Sequence, residues 1–128
     1  MSSILGTTLF MLLSVSVLSK VANNVTGDSV RGKVIYAQRC TSCHSIEFNG
    51  AGPLHRNLLG RKAGAVADYS YSPALKSSKI IWSNKTIDKW LLSPNKFIPG
   101  QKMWVSVPDA KDRQDIIAYL KTEGDKSK

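Results

Sequence analysis

The chain is 128 residues long, which fits a single domain, and its 18 Lys and Arg against 9 Asp and Glu give a net charge of +9. Such a basic balance raises the question of nucleic acid, yet there is no basic run, arginine-rich helix or recognised DNA-binding motif. Two cysteines, a histidine directly after the second and one further histidine do not match the two spaced ligand pairs that a structural zinc site usually needs.

From the N-terminus, Ile4 to Leu18 is a mostly apolar run broken by Gly6, Thr7, Thr8, Ser14 and Ser16. It is shorter than the ~20 residues of a typical membrane-spanning helix, and its length suits the core of a signal peptide. No Lys or Arg precedes it, and Val17-Leu18-Ser19 is only a tolerable processing site. Residues 1–26 are therefore expected to be an export signal or a membrane anchor, with cleavage favoured. Residues 27–128 are expected to form the folded domain. Lys20 is the only charged residue in the leading segment, so the domain keeps 17 basic and 9 acidic side chains, a net +8.

The domain is expected to be all-α. Thr26 or Asp28 caps a first helix over roughly Ser29 to Arg39, with Ile35 and Tyr36 on its apolar face. Gly32 lies within this helix, where glycine costs about 1 kcal/mol relative to alanine, so a close helix approach is expected there. The helix leads into Cys40-Thr41-Ser42-Cys43-His44, and C-x-x-C-H is the attachment signature of c-type haem. The two-residue spacing sets both thiols on one side of a helical turn, where each can add to a haem vinyl group. The following histidine can then supply an axial nitrogen. A thioredoxin-like C-x-x-C normally accompanies a βαβ pattern, and no such alternation is present.

Further along, Ser72-Pro73 places a cap before a first-turn proline and opens a short helix toward Lys79. Ser83 caps another, in which Ile87, Trp90 and Leu91 follow helical spacing until Pro94 stops it. The Pro99-Gly100 turn of Ile98-Pro99-Gly100-Gln101-Lys102-Met103 suits a loop that brings a thioether to a flat cofactor. Met103 is the only methionine beyond the N-terminal segment and is the candidate second axial ligand; His/Met ligation raises the iron's reduction potential. Asp109 caps the last helix, Ile116, Ile117 and Leu120 face inward, and Gly124 suits its C-cap.

Taken together, Gly32, Tyr36, C-T-S-C-H, Gly52-Pro53, Gly60-Arg61, Tyr69-Ser70-Tyr71, Trp82, Ile98 to Met103 and Ile116 to Leu120 resemble, in order and spacing, the class I c-type cytochromes. The match runs from about Gly27 to Glu123, and the small mitochondrial-like type that includes bacterial cytochromes c2 fits best. The resemblance implies a small cytochrome c fold, with short helices and loops around one haem c. That haem would be bound through Cys40 and Cys43 and ligated by His44 and Met103, with Pro53 beside it. It also implies that Arg61, Tyr71 and Trp82 reach the haem propionates, and that the first and last helices cross with Gly32 against Tyr119. Two departures stand out. Leu54-His55-Arg56 follows Gly-Pro where the family commonly has a small polar residue and a leucine. Trp90 occupies a position that often carries tyrosine near the methionine sulfur, and an indole N–H only donates. His55 is expected to be a hydrogen-bonded loop histidine near the haem edge rather than an iron ligand in place of Met103.

Two strong axial ligands leave no open position at iron, so catalysis at the metal is disfavoured. The chain is expected to be a monomeric carrier of single electrons between membrane complexes, from a quinol:cytochrome c reductase to a terminal oxidase, reductase or reaction centre. Lys62, Lys76, Lys79, Lys96 and Lys102 lie on segments expected to surround the haem crevice, where they would steer it to acidic docking faces. Residues 1–20 are a possible membrane attachment, and the expected compartment is the periplasm, since mitochondrial members of the resembled family lack such a leader. The alternatives are a dedicated cytochrome subunit of a periplasmic dehydrogenase or a haem peroxidase-like enzyme. A dihaem peroxidase would need a second C-x-x-C-H, which is absent. A gas-binding four-helix cytochrome would carry its motif near the C-terminus.

Overall fold

A computed structural model describes residues 27–126; the expected signal or anchor falls outside the described residues. Five helices follow one another: α1 (Ser29–Arg39), α2 (Pro73–Ser77), α3 (Asn84–Leu92), α4 (Pro94–Phe97) and α5 (Ala110–Asp125).

Side-chain caps start four of them. The Asp28 carboxylate accepts from the backbone N–H groups of Val30 (2.9 Å) and Arg31 (3.1 Å), so Asp28 is the α1 cap. Ser72 accepts from Leu75 at 3.2 Å ahead of Pro73, which already lacks the N–H that a first turn leaves unpaired. Ser83 and Thr86 close a reciprocal capping box on α3, at 2.7 and 3.2 Å. Asp109 accepts from Asp112 N–H at 2.8 Å to open α5.

Two boundaries differ from the sequence expectation, and one short helix is additional to it. α2 ends at Ser77, because Ser78 turns to an extended backbone (φ −65°, ψ 137°) before Lys79 is reached. Pro94 ends α3 and also occupies the first position of α4, where its fixed φ is an asset. Gly124 is helical rather than a cap: α5 runs to Asp125, and Lys126 pairs with Glu123 at 2.6 Å.

α1 and α5 cross at backbone range. A Cβ on Gly32 would stand 1.9 Å from the Asp115 carbonyl oxygen, and one on Gly27 2.0 Å from that of Gln114. The atoms nearest Gly32 thus belong to the α5 backbone one turn before Tyr119, and the Tyr119 ring instead packs on Tyr36 at 5.2 Å. The fully buried Asp115 carboxylate secures the crossing. It accepts from Asp28 N–H (2.7 Å), Lys111 Nζ (2.5 Å) and the Arg31 guanidinium. A buried carboxylate without such partners would be costly. Burial alone would raise its pKa, but Lys111, the Asp28 N–H and Arg31 outweigh that and hold it at about 2.

Against this pair lies α3, through buried Ile87 and Leu91 and through Arg113, which donates to Asp88 at 2.7 Å and to the carbonyls of Val107 and Pro108. Between α1 and α2 the chain is irregular, and one isolated antiparallel bridge, Lys62 to Ile81, ties it to the loop between α2 and α3. Gly60 N–H donates to Trp82 O at 2.7 Å, Trp82 N–H to Arg61 O at 2.9 Å, and Ala63 N–H to Ile80 O at 2.8 Å. Arg61 and Trp82 are thereby neighbours on one wall. No helix among the described residues is long and apolar enough to cross a membrane.

Candidate functional site

A cavity of about 400 Å³ opens between the end of α1, the irregular segment, α3 and the loop before α5. Cys40, Cys43, His44, Pro53, Arg61, Tyr71, Trp82, Trp90 and Met103 all line it. Residues read from sequence as a cofactor set are therefore gathered in one place. A wider open groove of about 980 Å³ lies along α5 between Gly27 and Asp125, and it holds neither cysteine nor histidine.

Local geometry explains how each group gets there. α1 ends at Arg39 with Cys40 as its C-cap, and the Cys40 carbonyl accepts from Cys43 N–H (3.1 Å) and His44 N–H (2.8 Å), so the motif coils into a turn. Both cysteine side chains line the cavity, Cys40 partly buried and Cys43 exposed. The His44 ring donates through Nδ1 to the Pro53 carbonyl at 2.8 Å, which leaves the Nε2 lone pair for a metal. Burial lowers the pKa of His44, the Pro53 bond opposing it, so the ring is neutral as a ligand must be. Gly52 is what admits this ring: a Cβ there would lie 2.2 Å from His44 Cε1 and 2.6 Å from Nε2.

Met103 reaches the cavity from a loop that begins at the Pro99-Gly100 turn, where Gly100 has φ +86°. The buried Gln101 amide grips it: Nε2 donates to Met103 O at 2.9 Å, and Oε1 accepts from Met103 N–H. Gln101 was read from sequence as part of a motif but without a role. A polar residue two before a candidate ligand in a non-helical loop was the available signal.

On the remaining walls, the Arg61 guanidinium donates to the carbonyls of Leu54 (2.8 Å) and Arg56 (2.9 Å), and burial lowers its pKa without discharging it. Tyr71 accepts from Val66 N–H at 3.3 Å, and Trp90 meets Trp82 edge to face at 5.5 Å. His55 also lines the cavity, on the side of His44 rather than opposite it, with its ring stacked on His44 at 4.1 Å. It is hydrogen-bonded as expected, to Tyr36 at 3.1 Å, and burial, then His44 and Arg61, hold its pKa well below the usual imidazole value.

An apolar slot with two thiols, a metal-ready imidazole and a thioether fits one covalently held haem. The family model for cytochrome c matches residues 29–123. The chain belongs to the cytochrome c family. Cytochrome c of Euglena viridis is 41% identical over 99 residues, spanning 75% of this chain and 97% of the relative. Cytochrome c2 of Rhodomicrobium vannielii is 39% identical over 101 residues, spanning 76% and 80%. The solved structure of cytochrome cH from Methylobacterium extorquens is 44% identical, with a TM-score of 0.72, covering 75% of this chain and 99% of that one.

The fold is accordingly that of a class I monohaem c-type cytochrome, with no strand among the described residues. Membership brings haem c with it, and Cys40 and Cys43 are the two thiols of this cytochrome that can carry it. It is a monohaem electron carrier with redox partners.

Proposed function

We propose that this cytochrome shuttles single electrons between membrane complexes, with His44 and Met103 as the two axial ligands of its haem. The donor would be a quinol:cytochrome c reductase and the acceptor a terminal oxidase, a reductase or a photosynthetic reaction centre. The observation that carries this reading is one cavity lined by a metal-ready imidazole and by a methionine whose backbone is gripped on both sides. When bound, haem c supplies one-electron exchange between ferrous and ferric iron. His44 and Met103 would hold the iron, the apolar walls would exclude water from the cofactor, and Arg61, Tyr71 and Trp82 would offer positive charge and polar donors to its propionates.

Docking is supported by the surface. Trp104, next to Met103, is 92% exposed, and Lys102 and Val105 beside it are exposed as well. A large exposed apolar side chain at the cavity rim suits a protein contact. Lys62, Lys76, Lys79 and Lys96 are also exposed, which suits steering onto acidic faces. Residues 1–26 are read as an export signal or anchor, the carrier as a periplasmic monomer, and its role as transfer rather than catalysis.

The test is carbon monoxide added to the reduced, haem-loaded protein. A closed His/Met site leaves the spectrum unchanged. Rapid, saturable binding would show an open site and favour an enzyme or gas-binding role.

A further inference from the structure

We propose that His55 is a positioning residue for the axial ligand: its imidazole lies flat against His44 and fixes the plane in which that ring meets the iron. The proposal rests on the assignment of His44 as ligand.

The two rings are 4.1 Å apart between centroids and within 21° of parallel. Among the described residues, the His44 ring has one hydrogen bond, the 2.8 Å bond from Nδ1 to Pro53. A hydrogen bond to a carbonyl tolerates a broad range of directions, so it settles which nitrogen faces the metal more firmly than it settles the ring plane. A flat partner at stacking distance supplies the missing restraint. Turning His44 about its own axis would drive a ring edge into the face of His55.

His55 can act this way because it is itself held. Its Nδ1 meets the Tyr36 hydroxyl at 3.1 Å, and the two rings meet edge to face at 5.7 Å. Tyr36 is 3% exposed in α1 and packs on Tyr119 of α5, so the restraint originates in the helix crossing. The backbone is fixed just as firmly. His55 N–H donates to Ser45 O at 2.9 Å and Arg56 N–H to Ile46 O at 3.0 Å, which ties this loop to the segment following His44. The Arg61 guanidinium bonds the carbonyls of Leu54 and Arg56, one on each side of His55. A leucine at this position would fill space, but it has no flat face to present.

The plane of an axial imidazole sets how the iron d orbitals of π symmetry split, so electron paramagnetic resonance of the oxidised holoprotein reads it directly. Wild type is expected to give one low-spin species with narrow lines. His55→Leu keeps volume and removes the flat ring; its g values are expected to move outside the wild-type linewidth and its lines to broaden. His55→Phe keeps a flat ring but loses the bond to Tyr36, so its g values are expected to return to those of wild type while its lines broaden as in Tyr36→Phe. Tyr36→Phe removes the anchor and is expected to broaden the lines even if His55→Leu fails to fold. A His55→Leu spectrum superposable on wild type, or His55→Phe g values matching those of His55→Leu, overturns the proposal while leaving His44 as ligand. A wild-type protein lacking the low-spin His/Met signature overturns both.

Discussion

Replacing Gly32 by alanine adds one methyl group where α1 and α5 cross. The new Cβ would sit 1.9 Å from the Asp115 carbonyl oxygen, against the 3.0 Å that real Cβ contacts keep, so the helices must part by about 1.1 Å. A gap of about 0.5–1 Å already forfeits a quarter to a half of a dispersion contact. Tyr36, Ile116 and Tyr119 pack in this region, and each buried side chain is worth about 1.5–3 kcal/mol. Their combined loss is then about 2–3 kcal/mol, and stretching the bonds to Asp115 adds about 1 kcal/mol. Helix propensity returns about 1 kcal/mol to alanine. The net loss is about 2–3 kcal/mol, or about 10–20 °C in Tm for a domain of this size. Denaturant and thermal unfolding of the haem-loaded protein, followed by far-UV circular dichroism, measure it. Gly60→Ala is the control: φ is +86° there but nothing stands within 4 Å, so only the left-handed strain of about 1–2 kcal/mol applies. A Gly32→Ala protein as stable as wild type would refute the close crossing.

Other consequences follow from the same geometry. Gly52→Ala, whose Cβ would fall 2.2 Å from His44, should displace that ring, cost about 1–3 kcal/mol and introduce high-spin haem absorption; an unchanged spectrum and stability would count against the fit. Asp115 has its pKa depressed from 3.8 to about 2, so its contribution is complete above about pH 4 and is lost as pH falls through about 2. That shift corresponds to at most about 2.4 kcal/mol, and water around the half-exposed Arg31 and Lys111 reduces it to about 1–1.5 kcal/mol. Asp115→Asn should flatten stability against pH in that window, and an unaltered slope would contradict the assignment. Electron transfer to an acidic membrane oxidase should slow by about tenfold or more between low and physiological salt, and Lys102→Glu should weaken that dependence; stopped-flow rates indifferent to salt would remove steering from the account.

Where local chemistry decides, the sequence was readable. α1 runs from Ser29 to Arg39 because Asp28 caps it, and the C-x-x-C-H turn follows directly. The nine residues assigned to the cofactor line one cavity: C-x-x-C-H marks three of them and the lone downstream methionine a fourth, while the resemblance to class I c-type cytochromes supplied Pro53, Arg61, Tyr71, Trp82 and Trp90. What escaped depends on contacts between distant segments. The Lys62–Ile81 bridge joins two loops that carry no strand pattern. Gly124 looked like a cap because glycine commonly follows a helix, yet the last turn continues with a Glu123–Lys126 pair. His55 was legible as a bonded loop histidine, but its partner Tyr36 is 19 residues earlier and its stack on His44 arises only when the loop folds back. Gln101 had no partner to suggest itself until the Met103 loop took its shape.

The most direct test of the account is the near-infrared sulfur-to-iron charge-transfer band of the oxidised, haem-loaded protein. The account predicts that the band is present in wild type and absent in Met103→Ala, with the haem still covalently attached. A wild-type protein that holds haem without this band, or a Met103→Ala protein that keeps it, would contradict Met103 as the ligand and with it the closed-site electron carrier.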